Sequence, residues 1–360
     1  MKICLINAPC TIIDDDNLEP QLGLLYIAAV LKENNYDVQI YSMTGCKDDR
    51  EVNEKIKNIP KADVYGFTTY CTNYNNIKKC IKYLWFKYPS SPIVLGGPNA
   101  TALPEFTLED ANCDYVIVGE GEDAFLNFVK SLEKHEYIPP IIYGQGRENI
   151  DSYPMPFYDL INFSDYTRVL DGERVVSIIS SRGCDRNCTH CNSVIMGGGS
   201  KGKKKVRYRS IENVIKEIEY LKGLGFKHFR FNDDIFTSNP NLEEFLIELY
   251  KLNIKYRIFA RVEDLTLDLC YLLSKSGCQH IAVGLESLNP DNLRFLRKQS
   301  QIGKEINIWN AKQCGLMVRA YFIVGLPHDN DQNIKEYFDK VSQLGIDEWT
   351  CYPLICYPGT

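Results

Sequence analysis

Residues 177–196 read SIISSRGCDRNCTHCNSVIM, and the reading of this stretch organises the rest of the chain. The apolar run Val175, Val176, Ile178 and Ile179 predicts a short buried strand, and Arg182-Gly183 the turn that ends it. Cys184, Cys188 and Cys191 follow directly in a C-x3-C-x2-C spacing. Three thiolates on one tight loop can each hold one iron of a cubane iron–sulfur cluster, since sulfur is the ligand such clusters take. A cubane has four irons, so the loop leaves one open to a small molecule. The same residues admit a zinc site with His190 as the fourth ligand.

Composition sets the frame. The length of 360 residues fits two domains. An apolar content of 44%, a charged content of 24% and a net charge of −6 are those of a globular protein and exclude the basic excess of a general nucleic-acid binder. No apolar run approaches the ~20 residues that span a bilayer. The opening MKICLINAPC has too short an apolar core for a signal peptide, so a cytoplasmic protein is expected. The 14 cysteines are scattered; those outside the loop are expected as buried or partly buried thiols of a reducing compartment.

Upstream of the loop, strands and helices alternate: strands at Lys2 to Asn7, Val38 to Tyr41, Ala62 to Thr68, Pro92 to Gly96 and Tyr115 to Val118, with helices between and after them. Such alternation predicts a parallel sheet covered on both faces, with ligands beyond the C-terminal strand ends. Glycines cluster there, where they permit close approach of a bulky ring system. The Pro- and Tyr-rich stretch 136–172 reads as a linker. A second strand–helix series begins after it, and the Gly/Lys-rich residues 197–205 read as a solvated loop rather than a phosphate cradle, for want of an ordered Gly-Lys-Ser pattern.

The cysteine loop resembles that of the radical S-adenosylmethionine (SAM) superfamily. His190 stands where that family usually has an aromatic side chain beside the adenine. Later stretches match the same family in order, which favours the cluster over zinc: Phe229 to Thr237 with Asp233 and Asp234, Tyr256 to Arg261, Gln279 to Ser287, and Arg319 to Pro327 with Gly325. The resemblance implies a 4Fe-4S cluster on the three cysteines and SAM chelated to the open iron. It implies Asp233 or Asp234 on the SAM ammonium, Arg261 on its carboxylate, Glu286 and Ser287 near the ribose, and Gly325 and His190 at the adenine. A carboxylate on an ammonium is a charge-assisted hydrogen bond.

The N-terminal half resembles the cobalamin-binding domain that precedes the radical domain in one subfamily. The segments are Pro20 to Ala29, Gly66 to Thr69, Gly96 to Thr101 and Val118 to Glu122. This implies cobalamin held near Gly23, Thr68, Thr69, Gly96, Gly97, Gly119, Glu120 and Gly121. No D-x-H-x-x-G occurs, so an imidazole of that motif is not the lower cobalt ligand. Cys10, Cys46 and Cys80 recur at intervals resembling the second-cluster cysteines of tRNA methylthiotransferases. Cys80 sits in a plain amphipathic helix, and the three are read as structural thiols.

The expected architecture is α/β: an N-terminal doubly wound (Rossmann-like) parallel sheet over 1–135, a linker over 136–172, and a partial (β/α)6 radical SAM barrel over 173–360. The family runs on past a segment like Pro358-Gly359-Thr360, so a C-terminal extension is expected to be absent. The implied function is methylation of an unactivated carbon through a 5′-deoxyadenosyl radical and methylcobalamin. The implied partners are a small-molecule or natural-product substrate and a flavodoxin- or ferredoxin-like electron donor. Two alternatives stand beside it: a ring cyclase like the anaerobic porphyrin cyclases, and a catalytically silent cobalamin- or cluster-binding protein.

Overall fold

The computed structural model describes residues 1–13, 15–196 and 206–360, so the Gly/Lys-rich loop at 197–205 lies outside the described residues. The chain folds as two compact units, one built mainly from Met1–Arg168 and the other mainly from residues 169–358.

The first unit runs β1 (Lys2–Asn7), α1 (Leu22–Glu33), β2 (Asp37–Ser42), α2 (Asp49–Lys57), β3 (Val64–Thr68), α3 (Tyr74–Lys87), β4 (Ile93–Gly96), α4 (Pro98–Ala102), α5 (Pro104–Ala111), β5 (Tyr115–Gly119), α6 (Glu122–Glu133) and β6 (Ile141–Gly144). Its strands are all parallel, in the order β2-β1-β3-β4-β5-β6. β1 is buried on both faces, as a central strand between two helical layers must be. The order reverses between β1 and β3, and such a switch point opens a crevice at the strand ends. The structure differs from the expected linker at β6, which pairs with β5 from Val116↔Ile141 to Gly119↔Gly144. Pro139-Pro140 does not prevent this: the carbonyl of Pro140 accepts from the Val116 N–H at 2.8 Å, and the prolines precede an edge strand, where a missing donor costs nothing.

The second unit runs β7 (Val169–Leu170), β8 (Glu173–Ile178), β9 (Ser181–Arg182), α7 (Ser193–Met196), β10 (Arg207–Tyr208), α8 (Ile211–Gly223), β11 (His228–Phe231), α9 (Leu242–Leu252), β12 (Lys255–Ala260), α10 (Leu267–Lys275), β13 (Cys278–Glu286), α11 (Pro290–Phe295), α12 (Ile308–Gln313), β14 (Met317–Val324), α13 (Asp331–Gln343) and β15 (Glu348–Pro353). β8, β11, β12, β13, β14 and β15 are parallel neighbours in chain order, with β7 antiparallel at the edge. The strand order never reverses, so crossovers of the usual single hand place the connecting helices on one face, and the sheet curls into a half-barrel. The outward face is the dry one. Phe231 meets Phe245 of α9 and Tyr256 edge-on, with ring centroids 5.8 and 5.4 Å apart. Tyr256, Ile258, Ile281, Val283, Val318 and Ala320 are buried with them. Each such Phe, Ile or Val side chain contributes roughly 1.5–3 kcal/mol of transfer free energy.

Candidate active site

The cysteine loop leaves the half-barrel at the C-terminal end of β8, and Asp233, after β11, fixes its root. Asp233 is 2% exposed. Its carboxylate accepts from the Ser180 N–H at 3.0 and 3.2 Å, the Ser180 hydroxyl at 2.9 Å and the Ser181 hydroxyl. The Arg209 N–H donates to the Ser180 carbonyl at 2.9 Å, and Arg209 Nη1 to that of Ile179 at 2.8 Å, while its guanidinium pairs with buried Glu217. Gly183 then turns the chain at φ +94°, a conformation that favours glycine, and Cys184 follows.

The three thiols are half-buried and free. The Arg186 N–H donates to Cys184 Sγ at 3.4 Å, and the Cys191 N–H to the Cys188 carbonyl at 3.3 Å. Burial, with Asp234, Asp185 and Cys191 adding to it, pushes the Cys184 thiol up to about 11. A bound metal reverses that, because a coordinating thiol is deprotonated outright. Among the described residues no three His, Cys, Asp or Glu side chains converge where a single metal ion would sit. His190 supplies no fourth ligand here: its Nε2 lies 3.7 Å from Glu286 Oε1, while its Nδ1 is buried without a partner.

The two aspartates separate. Asp233 is committed to the loop root, whereas Asp234 is exposed and accepts from the Ser193 hydroxyl at 2.7 Å, on the cysteine loop itself. Arg261 is already engaged: its Nε donates to Glu263 Oε1 at 2.6 Å and its Nη2 to Ser300 Oγ at 2.9 Å. Ser287 is buried, its hydroxyl accepting from the Asn289 N–H at 3.1 Å and from Asn292 Nδ2 at 3.4 Å, so it braces the start of α11. Gly325 has φ +83° and nothing within 4 Å of where a Cβ would stand, which leaves room for a flat base.

Glu286 ends β13 at a bulge, with φ +61°. Burial alone would raise its pKa, but Lys298 and then His190 hold it down at about 2. Lys298 is 6% exposed, and its Nζ donates to Glu286 Oε1 at 2.9 Å and to the Gly284 carbonyl at 2.7 Å. A Cβ on Gly284 would come within 3.2 Å of that Nζ, so glycine makes this approach possible. The segment around Lys298 also docks the cysteine loop, since the Thr189 N–H donates to the Leu296 carbonyl at 3.3 Å. Lys298, Glu263, Ser300 and Ser193 were not singled out in the sequence, where nothing distinguishes them from surface polar residues.

In the first unit the strand-end glycines differ among themselves. Gly97, at φ +91°, would place a Cβ 2.8 Å from Thr68 Oγ1 and 2.9 Å from the Thr69 nitrogen. Gly119, at φ +86°, would place one 2.8 Å from the Gly144 carbonyl, and Gly121 one 3.0 Å from Ile27 Cδ1. These three answer to packing within the unit. Thr69 is buried and joins two strand ends: its hydroxyl donates to the Gly96 carbonyl at 2.7 Å and accepts from the Ala100 N–H at 3.0 Å. Gly96 is loosely surrounded, Gly23 on α1 has open space around it, and Thr68 and Glu120 are half-buried. At the β1/β3 switch lies a cavity of about 240 Å³, lined among others by Asn7, Cys10, Gln21, Thr44, Tyr70 and Arg168. None of the expected cobalamin residues lines it. Cys10 gives its thiol to the Thr72 carbonyl at 3.4 Å, and Cys80 lies in the core with its Sγ 3.8 Å from Met43 Sδ.

A curled parallel sheet whose strand ends carry an open three-cysteine loop defines a class, the iron–sulfur enzymes that work through SAM. Residues 12–129 match the B12 binding domain family, and residues 178–341 the radical SAM superfamily. The chain thus carries a radical SAM domain behind a B12-binding domain. It is 29% identical to the uncharacterized methyltransferase PH0819 of Pyrococcus horikoshii, over 95% of this chain and 77% of that protein. It is 24% identical to the cytidylyl-2-hydroxyethylphosphonate methyltransferase of Streptomyces wedmorensis, over 91% and 73%. With the anaerobic magnesium-protoporphyrin IX monomethyl ester cyclase of Rubrivivax gelatinosus it shares 25%, over 92% and 64%. Its fold is that of the radical SAM methyltransferase TsrM from Kitasatospora setae, with a TM-score of 0.78 at 15% identity, covering 100% of this chain and 77% of that one.

Proposed function

We propose that the protein is a cobalamin-dependent radical SAM enzyme that methylates an unactivated carbon of a small molecule. The observation that carries this is the union, in one chain, of a B12-binding match over residues 12–129 with an open three-cysteine loop at the strand ends of a radical SAM half-barrel. Relatives named as methyltransferases support it. When bound, the cluster supplies an electron, SAM the hydrogen-abstracting adenosyl group, and cobalamin the methyl group.

The chain's own share is holding and orienting. Cys184, Cys188 and Cys191 hold three irons. Asp234, exposed beside the loop, takes the SAM ammonium, while Asp233 keeps the loop root rigid. The Lys298–Glu286 pair keeps a carboxylate ionised at the end of β13, where it can accept from a ribose hydroxyl. Gly325 admits the adenine. Gly23 and Gly96, with Thr68 and Glu120, face cobalamin. The domain limits we assign are a cobalamin-binding unit that includes β6 and a radical unit that starts near β7. Electrons come from a flavodoxin- or ferredoxin-like donor, in the cytoplasm.

Cyclisation is a second reading, because a magnesium-protoporphyrin cyclase is among the relatives. Anaerobic purification with cobalamin supplied should give cobalt and about four irons per chain. With methyl-deuterated SAM, a labelled methyl in the product supports methylation, and a product without it supports cyclisation. Iron without cobalt would sink the methyltransferase reading.

A further inference from the structure

The inner face of the half-barrel carries charge that the cofactor assignments do not use. Arg230 on β11, Arg257 on β12 and Arg319 on β14 converge there on two aromatic rings. The guanidinium carbons of Arg230 and Arg257 lie 5.2 and 5.4 Å from the centroid of the Phe259 ring. That of Arg319 lies 5.6 Å from the centroid of Tyr321, whose hydroxyl accepts from Arg257 Nη2 at 2.9 Å. This reach from β12 to β14 crosses the small inward residues Ala282 and Gly284 of the intervening β13, which pair with Phe259, Arg319 and Tyr321 in the sheet register, while the third inward residue, His280, pairs with Arg257 and has its Nε2 3.0 Å from Asp171 Oδ1. Phe259 and Tyr321 are only half-buried, unlike their outward neighbours, so the inner face is open.

Arg257 is the anchor. It is 9% exposed. Among the described residues its one hydrogen bond goes to the neutral Tyr321 hydroxyl, and its Nε is buried without a partner. Arg319 Nη2 donates to Thr350 Oγ1 at 3.1 Å, its Nη1 lies 3.5 Å from half-exposed Glu348, and its Nε is likewise buried and unpartnered. A guanidinium this deep without an anion is costly. Its planar fork matches the two oxygens of a carboxylate, phosphate or phosphonate.

We propose that the inner face of the half-barrel binds an oxyanion group of the substrate, clamped by Arg257 and Arg319 with Arg230 beside them and Phe259 and Tyr321 as plates. The assignment rests on the reading that chemistry occurs at the strand ends. Arg257 lies four residues before Arg261, roughly 13 Å deeper along the strand. A substrate anchored there turns its uncharged end toward the cysteine loop.

The test is calorimetric titration of the reconstituted full-length protein with inorganic phosphate, methylphosphonate and acetate, chloride holding the ionic strength constant. Wild type is expected to bind, with the tetrahedral ions and acetate distinguishing phosphate-like from carboxylate recognition. Arg257→Gln and Arg319→Gln should each weaken binding at least tenfold, and Lys78→Gln, in the surface pair with Asp110, should not. Arg319 is part-exposed, so its variant carries the test if Arg257→Gln does not fold. The affinity should persist with SAM saturating; competition would place the cofactor's own carboxylate there and overturn the proposal. Wild type that releases 5′-deoxyadenosine yet binds none of the three ions overturns it and leaves the radical reading intact. Binding without any 5′-deoxyadenosine supports the clamp and removes the radical reading instead.

Discussion

Lys298 Nζ donates to Glu286 Oε1 at 2.9 Å, and the two side chains are 7% and 12% exposed. Removing one partner of a buried pair leaves an uncompensated charge, at about 3–5 kcal/mol. Lys298→Met should therefore lower the unfolding free energy by that amount, and adding Glu286→Gln should recover part of it. The pair also fixes a pH dependence. Glu286 is held at about 2, below its ordinary value of 4.5, so its contribution is fully present above 4.5 and is lost as pH falls from there toward 2. Urea titrations at neutral pH and near pH ~3 should show that loss in wild type and a smaller one in Lys298→Met.

Asp233 and Asp234 should respond oppositely to substitution. Asp233→Ala strands a buried N–H and two buried hydroxyls at Ser180 and Ser181, which should cost about 3 kcal/mol. Asp234→Asn, at an exposed position, should leave stability within ~0.5 kcal/mol and weaken SAM binding about tenfold, since a charge-assisted hydrogen bond becomes a neutral one. Thermal melts and equilibrium SAM binding check the pair; equal stability losses would refute the division of labour.

What the sequence could not show has a common physical form. Apolar runs such as Lys2–Asn7 announce themselves because burial on both faces constrains every position. The three-cysteine loop is equally legible, because its spacing is local. The Glu286–Lys298 pair is not, because it joins residues 12 apart around a bulge and a helix, and an isolated lysine looks the same buried or exposed. Choosing between Asp233 and Asp234 required knowing which one turns back on Ser180. β6 was hidden by Pro139-Pro140, which reads as a linker unless the strand is known to lie at an edge. Gly97 and Gly119 stand at strand ends with positive φ, and their close neighbours are their own unit's backbone and side chains, a packing role that spacing alone does not separate from ligand contact.

The cysteines divide in the same testable way. Cys184→Ala, Cys188→Ala and Cys191→Ala should each lower iron to background and abolish 5′-deoxyadenosine formation, with far-UV circular dichroism unchanged because the thiols are half-buried on a loop. Cys80→Ala should keep the iron content and lose roughly 1 kcal/mol, the cost of a small core truncation beside Met43. Iron that fell in Cys80→Ala would argue for a second cluster.

Two glycines separate packing from binding in the first unit. Gly97→Ala meets positive φ and a Cβ 2.8 Å from Thr68 Oγ1, and the combined strain and overpacking should cost about 3 kcal/mol. Gly23→Ala lies in α1 with nothing within 4 Å, so helix propensity alone should stabilise the protein by ~0.5–1 kcal/mol. If the open space around Gly23 is where cobalamin approaches, the more stable variant should nevertheless retain less cobalt per chain after reconstitution. A more stable Gly23→Ala with undiminished cobalt would remove Gly23 from the cobalamin contact and shift attention to the cavity at Asn7, Thr44 and Tyr70.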